Sequence, residues 1–170
     1  MEFLKKIFFI IILLTFTKVS YGQVKTDGQY KNWSARNSLI DKQLVCFAVS
    51  SPVGQTPKNI NRAEARLFVS FRSTDKVMNE VSVTSGYTYK PNFPVVVSIN
   101  KKEYDLEPDD NFAWLLSNTE EIELVNSMKK GSTLKIQGVS NKGTKTEDTF
   151  SLAGFSDAYE AAKKRCNFSK

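Results

Sequence analysis

Leu44-Val45-Cys46-Phe47-Ala48-Val49 is an unbroken apolar run closed by Ser51-Pro52-Val53-Gly54. Its length and its β-branched and aromatic content mark a strand. Apolar residues at odd and even positions alike predict a central strand buried on both faces. The run also carries Cys46, and the only other cysteine in the chain is Cys166. What this pair does depends on the compartment, and the N-terminus speaks to that.

Lys5 and Lys6 precede Ile7-Phe8-Phe9-Ile10-Ile11-Ile12-Leu13-Leu14-Thr15-Phe16, and Ser20-Tyr21-Gly22 follows with small residues placed for cleavage before Gln23. An apolar core this short suits a secretory signal peptide over residues 1–22 and falls well under the ~20 residues of a membrane-spanning helix. The competing reading is an uncleaved anchor, which that shortness disfavours. No later stretch approaches spanning length, so no transmembrane segment is expected after cleavage. In an exported chain a lone pair of cysteines reads as a disulfide, here Cys46 to Cys166. A catalytic thiol would need a neighbouring base, and the chain has no histidine.

Residues 23–170 are expected to form one domain, large enough to bury a core of its own. Removing Lys5, Lys6, Lys18 and Glu2 from 24 basic and 18 acidic residues leaves 21 against 17, a net +4. The cations are scattered except at Lys101-Lys102, Lys129-Lys130 and Lys163-Lys164-Arg165. Without a basic stripe interleaved with aromatics, nucleic acid is not an expected partner.

Outward from the Cys46 strand, apolar segments recur between turn signals. Trp33-Ser34-Ala35 is a short one, Gln55 to Asn61 is a loop, and Arg66 to Phe71 is the next strand. Glu80-Val81-Ser82-Val83-Thr84 alternates, which puts Val81 and Val83 on one face. Val95 to Ile99 pairs with Glu103 to Leu106 as a hairpin. Thr133 to Val139 turns at Asn141-Lys142-Gly143 into Thr144 to Leu152. Two helices are expected. Glu120–Lys130 carries Ile122, Val125 and Met128 at three-residue spacing beside Leu124, with Gly131 as its stop. A second helix is capped by Ser156, runs from Asp157 to Arg165, and brings Cys166 back to the sheet. The expected architecture is mainly β: a β-sandwich or partly open barrel with two short helices.

Chemistry leaves few traces. The missing histidine removes Ser-His-Asp and Cys-His catalysis and most zinc sites. Asp105, Glu107, Asp109 and Asp110 form an acidic cluster, which reads more simply as a solvated turn than as a calcium site. No cofactor or metal is expected. Carboxylates assembled from distant segments for glycoside chemistry would leave no local signature. Arg62, Arg66 and Arg72 surround one strand, and Tyr87 and Tyr89 follow in a Tyr- and Pro-rich connection. They are candidates for a protein-binding surface. The alternative is structural: Arg66 and Arg72 pair with acids such as Glu64 and Glu80, and the tyrosines cap the end of the sheet. Trp114 is expected in the core.

An ordered set of segments spanning Trp33 to Cys166 resembles the invasion-associated locus B family of bacterial exported proteins. Its carriers include Val45-Cys46-Phe47-Ala48, Phe68-Val69-Ser70, Asn79-Glu80-Val81-Ser82-Val83, Val125-Asn126-Ser127-Met128-Lys129-Lys130-Gly131 and Phe150-Ser151-Leu152-Ala153-Gly154-Phe155. Phe71-Arg72-Ser73 departs from the Thr-Arg-Pro expected there. The resemblance implies a periplasmic or envelope-associated β-rich protein with no enzymatic activity and no catalytic residues to carry over. A non-enzymatic interaction domain with an envelope or periplasmic protein partner is thus the first expectation, linked to host-cell invasion only in a host-associated source. A periplasmic small-molecule or carbohydrate-binding module is the alternative.

Overall fold

The computed structural model of the protein describes residues 23–168. The stretch read as a signal peptide lies outside them. Eleven strands and two helices follow in the order β1 (Lys25–Tyr30), β2 (Trp33–Ile40), β3 (Gln43–Ser50), β4 (Gly54–Thr56), β5 (Arg66–Arg72), β6 (Val77–Thr84), β7 (Val95–Ile99), β8 (Lys102–Asp109), β9 (Phe112–Trp114), α1 (Asn118–Lys130), β10 (Thr133–Val139), β11 (Lys145–Ser151) and α2 (Phe155–Arg165).

All strands join one antiparallel sheet in the order β1-β2-β3-β5-β6-β9-β8-β7-β10-β11-β4. The corner is β8. Its first half, Lys102–Leu106, pairs with β7, and its second half, Glu107–Asp109, pairs with β9. Two arms therefore diverge from one strand, and the same face of each lines a single hydrophobic cluster. Side-chain alternation selects that face: Val81 and Val83 on β6, Val95, Val97 and Ile99 on β7, Leu134 and Ile136 on β10. No ladder joins β1 to β4, so the sheet stays open, as a partly open barrel requires. The arms are instead tied by Trp33, whose indole N–H donates to the Ser151 carbonyl at 2.9 Å, and by the Asn32 N–H on the Ala153 carbonyl at 3.2 Å.

The tight turns carry residues that tolerate positive φ. Asn100 and Lys101, at φ 49° and 67°, close the β7–β8 hairpin, and Asp41 and Lys42, at 48° and 66°, close β2–β3. Such paired left-handed residues match the twist of the strands they join.

Helix α2 packs Phe155, Ala158, Tyr159 and Ala162 against β2, β3 and β5. Phe155 meets Trp33 edge-on at 4.8 Å, and Tyr159 meets Phe71 at 5.2 Å. Burying each such ring contributes ~1.5–3 kcal/mol. Just past the helix, Cys166 is bonded to Cys46, and both are fully buried. The expected disulfide is present.

Several expectations need correction. β2 runs five residues beyond Ala35, and β1, β4 and β9 were not foreseen. β1 is polar because it is an edge strand with little to bury. α2 starts at Phe155 with Gly154 as its N-cap, at φ 91°, and has no side-chain cap. A side chain at position 154 is ruled out by the Tyr30 carbonyl oxygen, which an added Cβ would approach to 1.9 Å. In α1, Ile122 faces solvent at 48% exposure. The buried stripe is Glu121, Leu124, Val125 and Met128, the true i, i+3, i+4, i+7 face.

Glu121 is accepted in that stripe because β9 is short. It leaves the Val81 N–H on β6 without a strand partner, and the Glu121 carboxylate accepts from it at 3.1 Å. Burial nevertheless pushes the Glu121 carboxyl up to about 7.

Candidate functional site

The three arginines and two tyrosines do not converge on one surface. Arg62 lies under the irregular chain after β4, with its side chain 6% exposed, paired to Asp148 of β11 at 1%. One guanidinium nitrogen donates to the Ser85 carbonyl and to Asp148 Oδ2, both at 2.9 Å, while the other bonds Asp148 Oδ1. Gln55 donates to the same carboxylate at 3.3 Å. A buried, two-pronged charge pair of this kind is a structural clasp, because each charge needs the other once water is gone.

Tyr87 and Tyr89 sit beside it, ring to ring at 5.1 Å. The Tyr87 hydroxyl bonds Thr146, and the Tyr89 hydroxyl donates to Ser85 at 2.8 Å. Gly138 makes room for both rings: a Cβ there would lie 2.7 Å from the Tyr87 hydroxyl and 2.9 Å from the Tyr89 ring. Tyr89 is 2% exposed, so it belongs to the core and presents nothing to a partner. Desolvation raises both phenols above their ordinary value.

Arg66 and Arg72 lie instead on the outer face of the β3-β5-β6-β9 arm. Arg66 binds Glu64 and the Ser51 hydroxyl. Arg72 grips Glu80 with two bonds, of 2.7 and 2.8 Å, and reaches Asp75 at 3.3 Å. The bonds to Glu80 raise the Arg72 pKa above its ordinary value.

Among the described residues no helix or second sheet layer covers this outer face, yet the expected burial on both sides holds for most of the Cys46 strand. Val45 and Val49, on the outer face, are only 9% and 5% exposed, and Phe47 between them is the exception. Cys46 and Ala48 point inward and Phe47 points out, where it is only half-buried. Register carries the pattern across the arm. Ser70 of β5 stands opposite Phe47, Ser82 of β6 opposite Phe68, and Trp114 of β9 opposite Ser82.

The aromatic rings fall into a ladder. Phe47 meets Phe68 at 5.8 Å, Phe68 meets Phe112 at 6.2 Å, and Phe112 stacks on Trp114 at 5.6 Å. Trp114, expected in the core, is half-buried on this surface. A groove of about 610 Å³ runs beside the ladder from Phe112 past Phe47 and the Arg72–Glu80 pair to Ile40. Glu107 and Asp109 of β8 stand in register with Trp114 and Phe112 at its other margin. With Asp105 they alternate along β8 toward solvent, while Asp110 lies in the following turn.

The aromatic ladder is the feature sequence reasoning missed. Phe47 stands in an unbroken apolar run, and Phe112 and Trp114 come from a three-residue strand too short to show alternation. Only Phe68, on one face with Arg66, Ser70 and Arg72, carries a local sign of pointing outward.

A family model described as invasion associated locus B protein matches residues 33–163. The chain belongs to that family. The match begins at Trp33, the residue that ties the two arms, and covers the clasp, the ladder and nearly all of α2. No curated protein and no solved structure matches this member of the locus B family. Among the described residues no group of three or more acidic or cysteine side chains could hold a metal ion, and no helix is long and apolar enough to cross a membrane.

Proposed function

We propose that this locus B family protein is exported and serves as a non-enzymatic interaction domain of the bacterial envelope, binding a protein partner through its outer aromatic face. The observation that carries the reading is the continuous ladder Phe47–Phe68–Phe112–Trp114. Edge-to-face and stacked rings of this kind offer large contact area at little entropic cost. Beside it stands Arg72, already held in place by Glu80. Aromatics and arginine are the residues that dominate protein interfaces. The family's name links it to invasion, a role that a surface-binding domain suits without any catalytic step.

A second reading, carbohydrate binding, is favoured by one observation: the stacked Phe112–Trp114 pair is flanked by the carboxylates of Glu107 and Asp109.

A photo-crosslinking residue placed at Phe112 in cells tests the first reading. It should trap a recurrent envelope protein, and Trp114→Ala should cut that yield about thirty-fold, the loss of one interfacial hot spot. Thermal stability should fall by no more than ~1–2 kcal/mol, since Trp114 is only half-buried, far less than the loss of capture would need if it came from unfolding. No recurrent partner would defeat the reading. A saturable change in tryptophan emission on adding oligosaccharides, absent in Trp114→Ala, would select the second.

A further inference from the structure

The β2–β3 hairpin ends in an apolar tip. Leu39 and Ile40 are consecutive and 57% and 54% exposed. They precede the two-residue turn of Asp41 and Lys42, so alternation sends them to opposite faces of the hairpin. Ile40 adjoins the outer groove, whereas Leu39 adjoins a cleft of about 730 Å³ with Leu44, Lys25, Lys42 and Arg165. Since the two side chains point in opposite directions, packing against either face of the sheet would cover one and leave the other wet. A single exposed aliphatic residue is ordinary. Two at the end of a projecting turn, one on each side, form a wedge suited to a medium that can surround the tip.

Charge defines that medium. Lys25, Lys42 and Arg165 line the Leu39 cleft, and Lys76 stands in the neighbouring β5–β6 turn, held beside the tip by Gln43 on Asp75. Lys164 is close by, since α2 ends at this same pole, where the Ser73 hydroxyl bonds the Cys166 carbonyl. Of the acids here, Asp27 is engaged by Asn37 and Arg165, Asp75 and Glu80 share Arg72, and Asp41 stands in the turn itself. Among the described residues no salt bridge engages Lys25, Lys42 or Lys76. Aliphatic side chains with cations along one flank have the composition of an interfacial membrane contact, in which burial among acyl chains and attraction to anionic headgroups add.

We infer that the β2–β3 hairpin tip is a membrane-surface contact, with Leu39 and Ile40 entering the headgroup region of an anionic phospholipid leaflet and Lys25, Lys42 and Lys76 meeting its phosphates. Through Ile40 this contact borders the end of the groove farthest from Phe112, and the two surfaces together would let the protein hold a partner while resting on a membrane.

Vesicle sedimentation tests it, using protein recovered after export with the apolar N-terminal run shown by intact mass to be gone. Binding to vesicles containing phosphatidylglycerol should exceed binding to pure phosphatidylcholine. The double variant Leu39→Ser, Ile40→Ser should weaken it at least ten-fold with unchanged thermal stability, since both positions are exposed. Lys42→Glu should weaken it further, by about five-fold for the cation removed and again for the acid introduced, and should make the remaining binding less sensitive to salt. Phe112→Ala should leave vesicle binding intact even where it abolishes partner capture. Equal binding by the Leu39, Ile40 variant, or no preference for anionic lipid, would overturn the inference.

Discussion

Asp148→Ala should be among the most damaging single substitutions in this protein outside its apolar core. The change strands the Arg62 guanidinium, whose side chain is 6% exposed, with only the Ser85 carbonyl left to receive it. It also removes the acceptor of Gln55. Breaking a buried pair by deleting one member costs ~3–5 kcal/mol, because the survivor cannot recover its hydration. In a domain of this size that is a fall in melting temperature of roughly 6–20 °C.

Arg62→Ala should cost about as much, since it leaves the Asp148 carboxylate, 1% exposed, without its cation and with only Gln55 donating to it. The double variant Arg62→Met, Asp148→Leu should lose less than either single change, because two apolar side chains need no partner. Its residual loss, ~1 kcal/mol, reflects the Ser85 carbonyl left without a donor. Urea unfolding with the disulfide intact, followed by the emission of the buried Trp33, measures all four proteins. A loss under ~1 kcal/mol for Asp148→Ala, or a double variant that loses the sum of the singles, would refute the clasp.

Other expectations follow from particular contacts. Glu121 carries a carboxyl pushed up to about 7 from its ordinary 4.5. The folded protein therefore holds a proton between those values that the unfolded chain gives up, so stability falls as pH rises through that window. Glu121→Gln keeps an acceptor for the Val81 N–H, and in thermal melts from pH 4 to 8 it should flatten the curve, exceeding wild type by ~1–3 kcal/mol at the alkaline end. Gly154→Ala sets a Cβ 1.9 Å from the Tyr30 carbonyl, whereas Gly143→Ala, at φ 84°, meets nothing within 4 Å. The first should cost at least ~2 kcal/mol and the second ~1 kcal/mol in paired denaturant curves, separating a clash from a bare backbone penalty. Reducing the Cys46–Cys166 bond, which spans 120 residues, should cost up to ~5 kcal/mol by the chain-entropy argument. A denaturation midpoint indifferent to reductant would contradict that.

Much of the fold could be read along the chain because the relevant physics is local. Alternation in Glu80–Thr84 and Thr133–Val139 placed Val81, Val83, Leu134 and Ile136 on the core face. The β7–β8 hairpin was legible, although its turn is Asn100 and Lys101 alone and Lys102 already pairs with Ile99. Cysteine counting found the bond from α2 to β3, since two thiols allow one pairing. α1 was located within two residues, although its buried stripe was misjudged: three-residue spacing brought in Ile122, while the 3.6 period chose Glu121.

The functional surface could not be read this way. Period two tells which residues share a face of a strand, but not whether another layer will cover the second face. Phe47 and Phe68 became half-buried outer rungs because no element among the described residues packs on that side of the arm, and Phe112 and Trp114 joined them through the register of β9 on β6 and β8. Arg62 and Asp148 are 86 residues apart, and no local signal couples them. Tyr89 looked available in a polar connection, yet Gly138 on a distant strand opened a place for it in the core. Composition and periodicity decided the helices and the apolar strands, but not the polar or very short strands β1, β4 and β9. The pairing of distant strands, set by how the whole sheet bends at β8, decided which side chains are buried and which meet a partner.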